Sequence, residues 1–299
     1  MKRFALPAIV LSLSIASAYA QFTFTSIDYP EGTLTATRGI NNRGDIVGAY
    51  RIVGPRHAML IRRGDFLTPP STNMLGANQS EAFKSNDRGD VVGQFIDNDG
   101  FIHGFLFHVG DEAVTTLDFP GASNTYAFGI NESGTVAGYW DVLDSGGELV
   151  ALHGFLWNNG EFSEVNFPGA TDTIILGINA RGDFVGTWYD GATEPVSHAF
   201  VFLKGQFISF DAPFPGTVFT QPNGINALGH MVGTYMDSGG MTHGFLAVGD
   251  TFTSIDYPGA KTTSAWGINS AGQIVGNHID PESTTSHGFL AQPGNKRKP

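Results

Sequence analysis

Six histidines recur in one register: His57, His103, His153, His198, His243 and His287, each followed by Gly or Ala and then Phe or Met. Imidazoles ligate metals and move protons near neutral pH. The other candidates are carboxylates: Asp97 and Asp99 in "DNDG", Asp141 and Asp144, Asp190 and Glu194, Asp237, then Asp280 and Glu282. Enough converging oxygens would hold calcium, and two carboxylates with separated pKa values would serve glycoside chemistry. Repetition argues against both uses. A residue present once per repeat is placed by architecture, whereas a reactive centre on a ring breaks its symmetry. Metal-binding histidines cluster, and these are spread one to a repeat. We therefore read them as structural, each bonding to backbone or a nearby carboxylate and tying its strand to the adjoining loop. Asp, Gly and Ser in the acidic segments are ordinary turn formers. Their sharper reading is a carboxylate-lined face for a cation or a polar ligand such as a sugar. For calcium, "DNDG" supplies only part of a ligand set, and the sign reverses at Arg51 and Arg56 in the first repeat.

The elements that position these residues follow from a second pattern, Asn-x-x-Gly-x-x-x-Gly. It begins at Asn41, Asn86, Asn131, Asn179, Asn226 and Asn269, with successive copies 43 to 48 residues apart. Five copies are preceded by Gly-Ile; the second reads "KSN" at Lys84 to Asn86. Asn at the first corner and Gly at the fourth suit a type I turn, so each copy predicts a tight hairpin. The second Gly falls inside the next strand, which implies a bulge or a close backbone approach. An aromatic ring two residues later (Tyr50, Phe95, Trp140, Trp188, Tyr235, with His278 in the last copy) would fill the space between sheets. Each unit then holds strands a ("GIN"), b ("DIVGAY"), c ("HGFLF") and d ("TTLDFP"). Alternating direction puts the acidic b–c loops and the d–a loops on one face. Helical periodicity is absent, and the period suits a propeller blade.

Strand d follows c only five times, because the last copy ends as "HGFLAQPGNKRKP". The missing strand is "FTFTSIDYP" at 22–30, whose Phe24–Pro30 recurs as Phe252–Pro258, 228 positions later. The expectation is an all-β, six-bladed β-propeller of four-stranded blades, spanning 21–293 as one domain and closed by its N-terminal strand. Full burial of Phe22, Phe24, Ile27 and Tyr29 would contribute about 1.5–3 kcal/mol each. An open β-solenoid would need no displaced strand.

The "HAF" of His198–Phe200, its "HGF" variants and the "GIN..G..VG" hairpins resemble the bacterial exported HAF-repeat proteins over residues 22 to 291. That resemblance implies an exported, propeller-like repeat protein and carries no reaction or catalytic residues. The first copy departs most, with "HAML" and a short "DFLTPP". Residues 1–20 read as a signal peptide: Lys2 and Arg3, an apolar run from Phe4, and Ala18-Tyr19-Ala20 before Gln21. Residues 294–299 form a basic tail, and no other segment approaches the length of a membrane span.

Cleavage leaves 14 Lys+Arg against 28 Asp+Glu, a net charge of −14 where the full chain has −12. Such a surface disfavours nucleic acid. With no cysteine, the exported chain relies on its core instead of disulfides. No G-x-S-x-G elbow, H-E-x-x-H helix or phosphate-binding loop occurs. "SNDRGD" at Ser85 is similar to the S-x-D-x-G Asp box of sialidase-like propellers, yet it is also the second copy of the hairpin. The reading is a secreted, monomeric binding or scaffold module in the periplasm or outside the cell, with a polysaccharide or protein of the envelope as partner. A carbohydrate-active propeller enzyme and a ligand-free structural repeat are the alternatives.

Overall fold

Each Asn-x-x-Gly segment is a reverse turn stabilised by its own side chain. Asn41 Oδ1 accepts the N–H groups of Arg43 and Asp45, while Gly44 N–H donates to Asn41 O. Gly44 sits at φ +83°, in the left-handed region where a side chain is disfavoured. A type I turn ending in such a residue joins two antiparallel strands tightly. The second glycine faces backbone: a Cβ on Gly48 would lie 1.8 Å from Ala36 O, and one on Gly186 would lie 1.9 Å from Ile174 O. Opposite it, strand a of every blade carries a one-residue bulge, as between Thr37 and Gly39 or Ile175 and Gly177. The expected close approach at that glycine is therefore present, and the bulge lies in the strand opposite.

The computed structural model describes residues 22–67, 77–110, 113–191 and 197–294. The expected leader at 1–20 and the tail beyond Gly294 lie outside the described residues. β1 (Phe22–Ile27) comes first in the chain and belongs to the last blade. Blade 1 is β2 (Leu34–Ile40), β3 (Ile46–Arg51), β4 (His57–Arg62) and the short β5 (Asp65–Leu67). Blade 2 holds β6 (Gln79–Ser85), β7 (Val91–Ile96), β8 (Ile102–His108) and β9 (Ala113–Leu117). β10 (Thr125–Ile130), β11 (Val136–Leu143), β12 (Leu149–Asn158) and β13 (Glu161–Val165) make blade 3. Blade 4 is β14 (Asp172–Ile178), β15 (Phe184–Tyr189), β16 (Ser197–Leu203) and β17 (Gln206–Phe210). Blade 5 is β18 (Thr217–Ile225), β19 (Met231–Asp237), β20 (Thr242–Val248) and β21 (Thr251–Ile255). Blade 6 combines β22 (Thr262–Ile268), β23 (Ile274–Ile279) and β24 (Ser286–Pro293) with β1.

Consecutive a strands touch one another around the molecule, so they surround the axis and the d strands lie outside. The phenylalanine of each "HGF" or "HAF" is core: Phe105, Phe155, Phe200, Phe245 and Phe289 are at most 1% exposed, and Met59 takes that place in blade 1. Blade joins to blade through the turn asparagines. Asn41 Nδ2 donates to Asn86 O, Asn86 to Asn131 O, Asn179 to Asn226 O, Asn226 to Asn269 O, and Asn269 back to Asn41 O. The hydroxyl six residues before the Asn makes a second joint, since Thr125, Thr173 and Thr263 accept N–H from the preceding blade's Phe119, Phe167 and Tyr257.

The ring closes where the repeated phrase requires. β1 runs antiparallel to β24 from Phe22 opposite Pro293 to Ile27 opposite Gly288. Phe24 meets Tyr257 and Phe289 edge-on, with ring centroids 5.4 and 5.6 Å away. Tyr29 stacks on Tyr50 of blade 1 at 3.7 Å, and its N–H donates to Thr35 Oγ1. The apolar side chains of β1 are half-buried because it is the outer strand of its sheet. Its contribution thus falls short of the full-burial figure, nearer about 1 kcal/mol per side chain.

Candidate functional site

The six histidines lie toward the b–c end of their c strands, His153 set further into the longer β12 than the others are into theirs. There five stack on the strand-b ring, as His103 does on Phe95, His198 on Trp188 and His243 on Tyr235, all at 4.9 Å between ring centroids, while His57 is tilted against Tyr50. In blades 3, 4 and 5 the same aromatic stacks on a ring from the preceding blade, as Trp140 does on Phe119 and Trp188 on Phe167. The imidazole edge meets the carboxylate that ends strand d. His103 Nδ1 lies 2.7 Å from Asp118, His243 Nδ1 lies 2.8 Å from Asp256, and His287 Nδ1 lies 2.6 Å from Asp28. In blades 2 to 6 the histidines thus tie strand c to strand d, and in blades 2 and 5 to the b–c loop as well, through Asp97 and Asp237. Partial burial disfavours the His103 cation, yet its two carboxylates outweigh this and hold its pKa above the ordinary value.

The acidic residues are used locally. Asp97 Oδ1 accepts N–H from Asp99 and Phe101, Asp144 Oδ1 from Gly146 and Glu148, and Asp237 Oδ1 from Gly239 and Met241. These backbone donors hold the Asp144 and Asp237 carboxyls below the usual carboxylate range, against the opposing effect of burial on both. Asp141 is buried and bonds Asn124 through N–H and Nδ2. Asp280 lies 3.7 Å from His278 Nε2, and Asp99 and Asp190 are exposed on their loops. Glu194 lies outside the described residues. Among the described residues no three His, Asp or Glu gather as a metal-binding group. Arg56 reaches Glu81 at 3.6 Å, and Glu81 in turn pairs with Arg38 at 2.6 Å beside the axis.

The face as a whole is distinctive. Blades 2 to 6 each place carboxylates at both corners, and the described lysines and arginines there are Arg51, Arg56 and Lys261. Exposed apolar side chains crown the same b–c loops: Ile52, Val53, Phe101, Leu149, Val150 and Met241. The opposite face mixes Arg43, Arg62, Arg88, Arg181 and Lys204 among its carboxylates.

The axis shows what repetition conceals. The bulge residues Arg38, Phe83, Phe128 and Trp266 meet in pairs across blades. Phe83 stacks on Phe128 at 4.0 Å, and the Arg38 guanidinium lies 4.0 Å from the Trp266 ring centre. Lys84, where the other five copies have glycine, reaches from blade 2 to donate to Arg38 O and Trp266 O, both at 2.7 Å. Enclosure by the ring, with Arg38 nearby, lowers its pKa to about 7. It lines a cavity of about 80 Å³ at the a–b end of the axis. The sequence signal for this site was the departure "KSN".

No family model and no curated protein matches the chain. Among solved structures it is similar to the β-propeller domain of the Trilobed protease from Pyrococcus furiosus, described as having an open velcro topology. The TM-score is 0.55 at 10% identity, covering 89% of this chain and 86% of that one. A mutant of the Aleuria aurantia lectin in complex with Fucalpha1-6GlcNAc gives 0.50 at 14% identity, with 88% and 97% covered. TolB from Acinetobacter baumannii gives 0.50 at 10% identity, over 87% of this chain and 64% of that one. Likeness at such identities concerns the fold, and six antiparallel four-stranded sheets in a ring make this chain a β-propeller.

Proposed function

We propose that the chain is an exported, monomeric binding or scaffold module whose b–c loop face docks a basic, partly apolar protein segment at the cell envelope. The observation that carries this is the pairing, on one face, of carboxylates at both corners of five blades with exposed Phe101, Leu149, Val150, Ile52 and Val53. Like charges in excess attract an opposite surface and steer its approach, while apolar tips supply the area such an interface buries. The predicted residues Asp97, Asp99, Asp144, Asp190, Asp237 and Asp280 then act by their summed field, and buried Asp141 by holding its loop. The repeated histidines and turn asparagines are committed to the ring, which leaves the loops as its variable surface. Export rests on the leader and on the likeness to exported HAF-repeat proteins.

The test compares wild type with Phe101→Ser/Leu149→Ser/Val150→Ser, and with Arg181→Ala on the other face. Immobilised proteins are exposed to solubilised envelope proteins and, separately, to purified envelope polysaccharide. A salt-sensitive protein complex lost only in the triple variant is expected. Retention of polysaccharide alone, or protein binding indifferent to the loop substitutions, would overturn the proposal. N-terminal sequencing of the exported product should begin at Gln21; an intact Met1 on chain confined to the cytoplasm contradicts export.

A further inference from the structure

A second site lies at the opposite end of the axis and does not depend on the loop face. Its rim is made by the residues that follow the turn asparagines: Asn42, Asp87, Glu132, Ala180, Ala227 and Ser270. Around half the ring, the backbone N–H of one blade is capped by the side chain of the next. Ser270 N–H donates to Asn42 Oδ1, Asn42 N–H to Asp87 Oδ1, and Asp87 N–H to the Glu132 carboxylate. The pattern then breaks, because blades 4 and 5 offer Ala180 and Ala227, which have no side-chain oxygen. Among the described residues no side chain caps Glu132 N–H or Ala180 N–H.

The wall of the same cavity adds Lys84. An ammonium has three protons; two go to Arg38 O and Trp266 O, and no acceptor for a third exists among the described residues. Beside it, the Ser85 hydroxyl is shut from solvent without a partner. Buried polar groups are nearly always bonded; the Ser85 hydroxyl and the Lys84 ammonium are unmatched there, and like the two rim N–H groups they can donate. The shape is informative too: Asp87 and Glu132 show that a carboxylate fits a rim position. The cavity, at about 80 Å³, suits a compact ligand. The nearby Glu132 and Asp87 disfavour a ligand of higher negative charge.

We propose that this axial cavity binds a compact monocarboxylate, with Lys84 and Ser85 beneath it and the Glu132 and Ala180 N–H groups on its rim. The ligand's carboxylate occupies the position that Asp87 and Glu132 side chains occupy in the preceding half-ring, and Lys84 balances its charge.

The probes are sodium acetate, sodium phosphate and sodium chloride at equal ionic strength, read by thermal melting and by acetate NMR line broadening on the full mature chain. Acetate at about ten times its dissociation constant should raise Tm by roughly 2–4 °C, with phosphate and chloride weaker. Lys84→Met should lose that response. Ala180→Asp supplies its own carboxylate to Glu132 N–H, so it should melt higher than wild type and ignore acetate; this variant keeps the test decisive if Lys84→Met fails to fold. Wild type indifferent to acetate, phosphate stabilising as much as acetate, or acetate acting equally on Ala180→Asp would overturn the proposal.

Discussion

Gly182 and Gly186 share one hairpin, yet their side-chain hydrogens do different work. Gly182 sits at φ +82° with open space where a Cβ would go, so Gly182→Ala should cost only the left-handed strain, about 1–2 kcal/mol. A Cβ on Gly186 would strike Ile174 O at 1.9 Å, with the Phe200 ring at 3.0 Å behind. Gly186→Ala must undo the bulge, and a loss of about 3 kcal/mol or more is expected, in the range of severe packing faults. Urea unfolding of the two variants checks the order. Lys84 gives a pH signature as well. Its folded pKa of about 7 lies below the ordinary 10.5, so the unfolded chain holds the extra proton between those values. Stability should therefore rise from about pH 7 toward 10.5 in wild type relative to Lys84→Met, and that gain should fade below pH 7, measured in a carboxylate-free buffer. The turn and close-approach glycines were legible in the sequence because spacing alone exposes them. Lys84 was visible only as a gap in the Gly-Ile pattern, since nothing local says that a side chain there points along an axis.

At the level of the element, the a–b hairpin is both a turn and a joint. Asn226 is buried; its Oδ1 accepts from Leu228 and His230, and its Nδ2 donates to Asn269 O in the next blade. Asn226→Ala removes three hydrogen bonds, one of them buried, a loss of about 3 kcal/mol at roughly 1 kcal/mol for each bond. Asn226→Asp keeps the turn and forfeits only the joint, so it should lose less; thermal melting of both separates the two roles. Strand order and hairpins could be read from the repeat; the stacking of the histidines on the strand-b aromatics could not. The Asn-to-Asn belt could not, because its partners lie 43 to 47 residues apart, or 228 at the closure, and meet only after the ring has formed. For the same reason the histidines' main partners, the strand-d carboxylates such as Asp118 and Asp256, were not assigned from the adjoining b–c loop.

At the scale of the whole molecule, closure and polarity belong together. Ring closure leaves only the short outer d strands as edges and brings every b–c and d–a loop to one face, which turns scattered acidic turns into a single field. The number of blades and the displaced strand were legible because the phrase at Phe24 recurs at Phe252. Whether the loop carboxylates converge was not legible, since each loop is fixed by its own turn and only the ring sets the distances between them. Closure is open to direct test, because the chain has no native cysteine to confuse a cross-link. Thr23 and Gln292 are exposed and directly opposite in the β1–β24 pair. Oxidised Thr23→Cys/Gln292→Cys should form an intramolecular disulfide at high yield, migrate faster on non-reducing gels and melt above its reduced form. Free thiols after oxidation, or disulfide only between molecules, would contradict a ring fastened by its first strand.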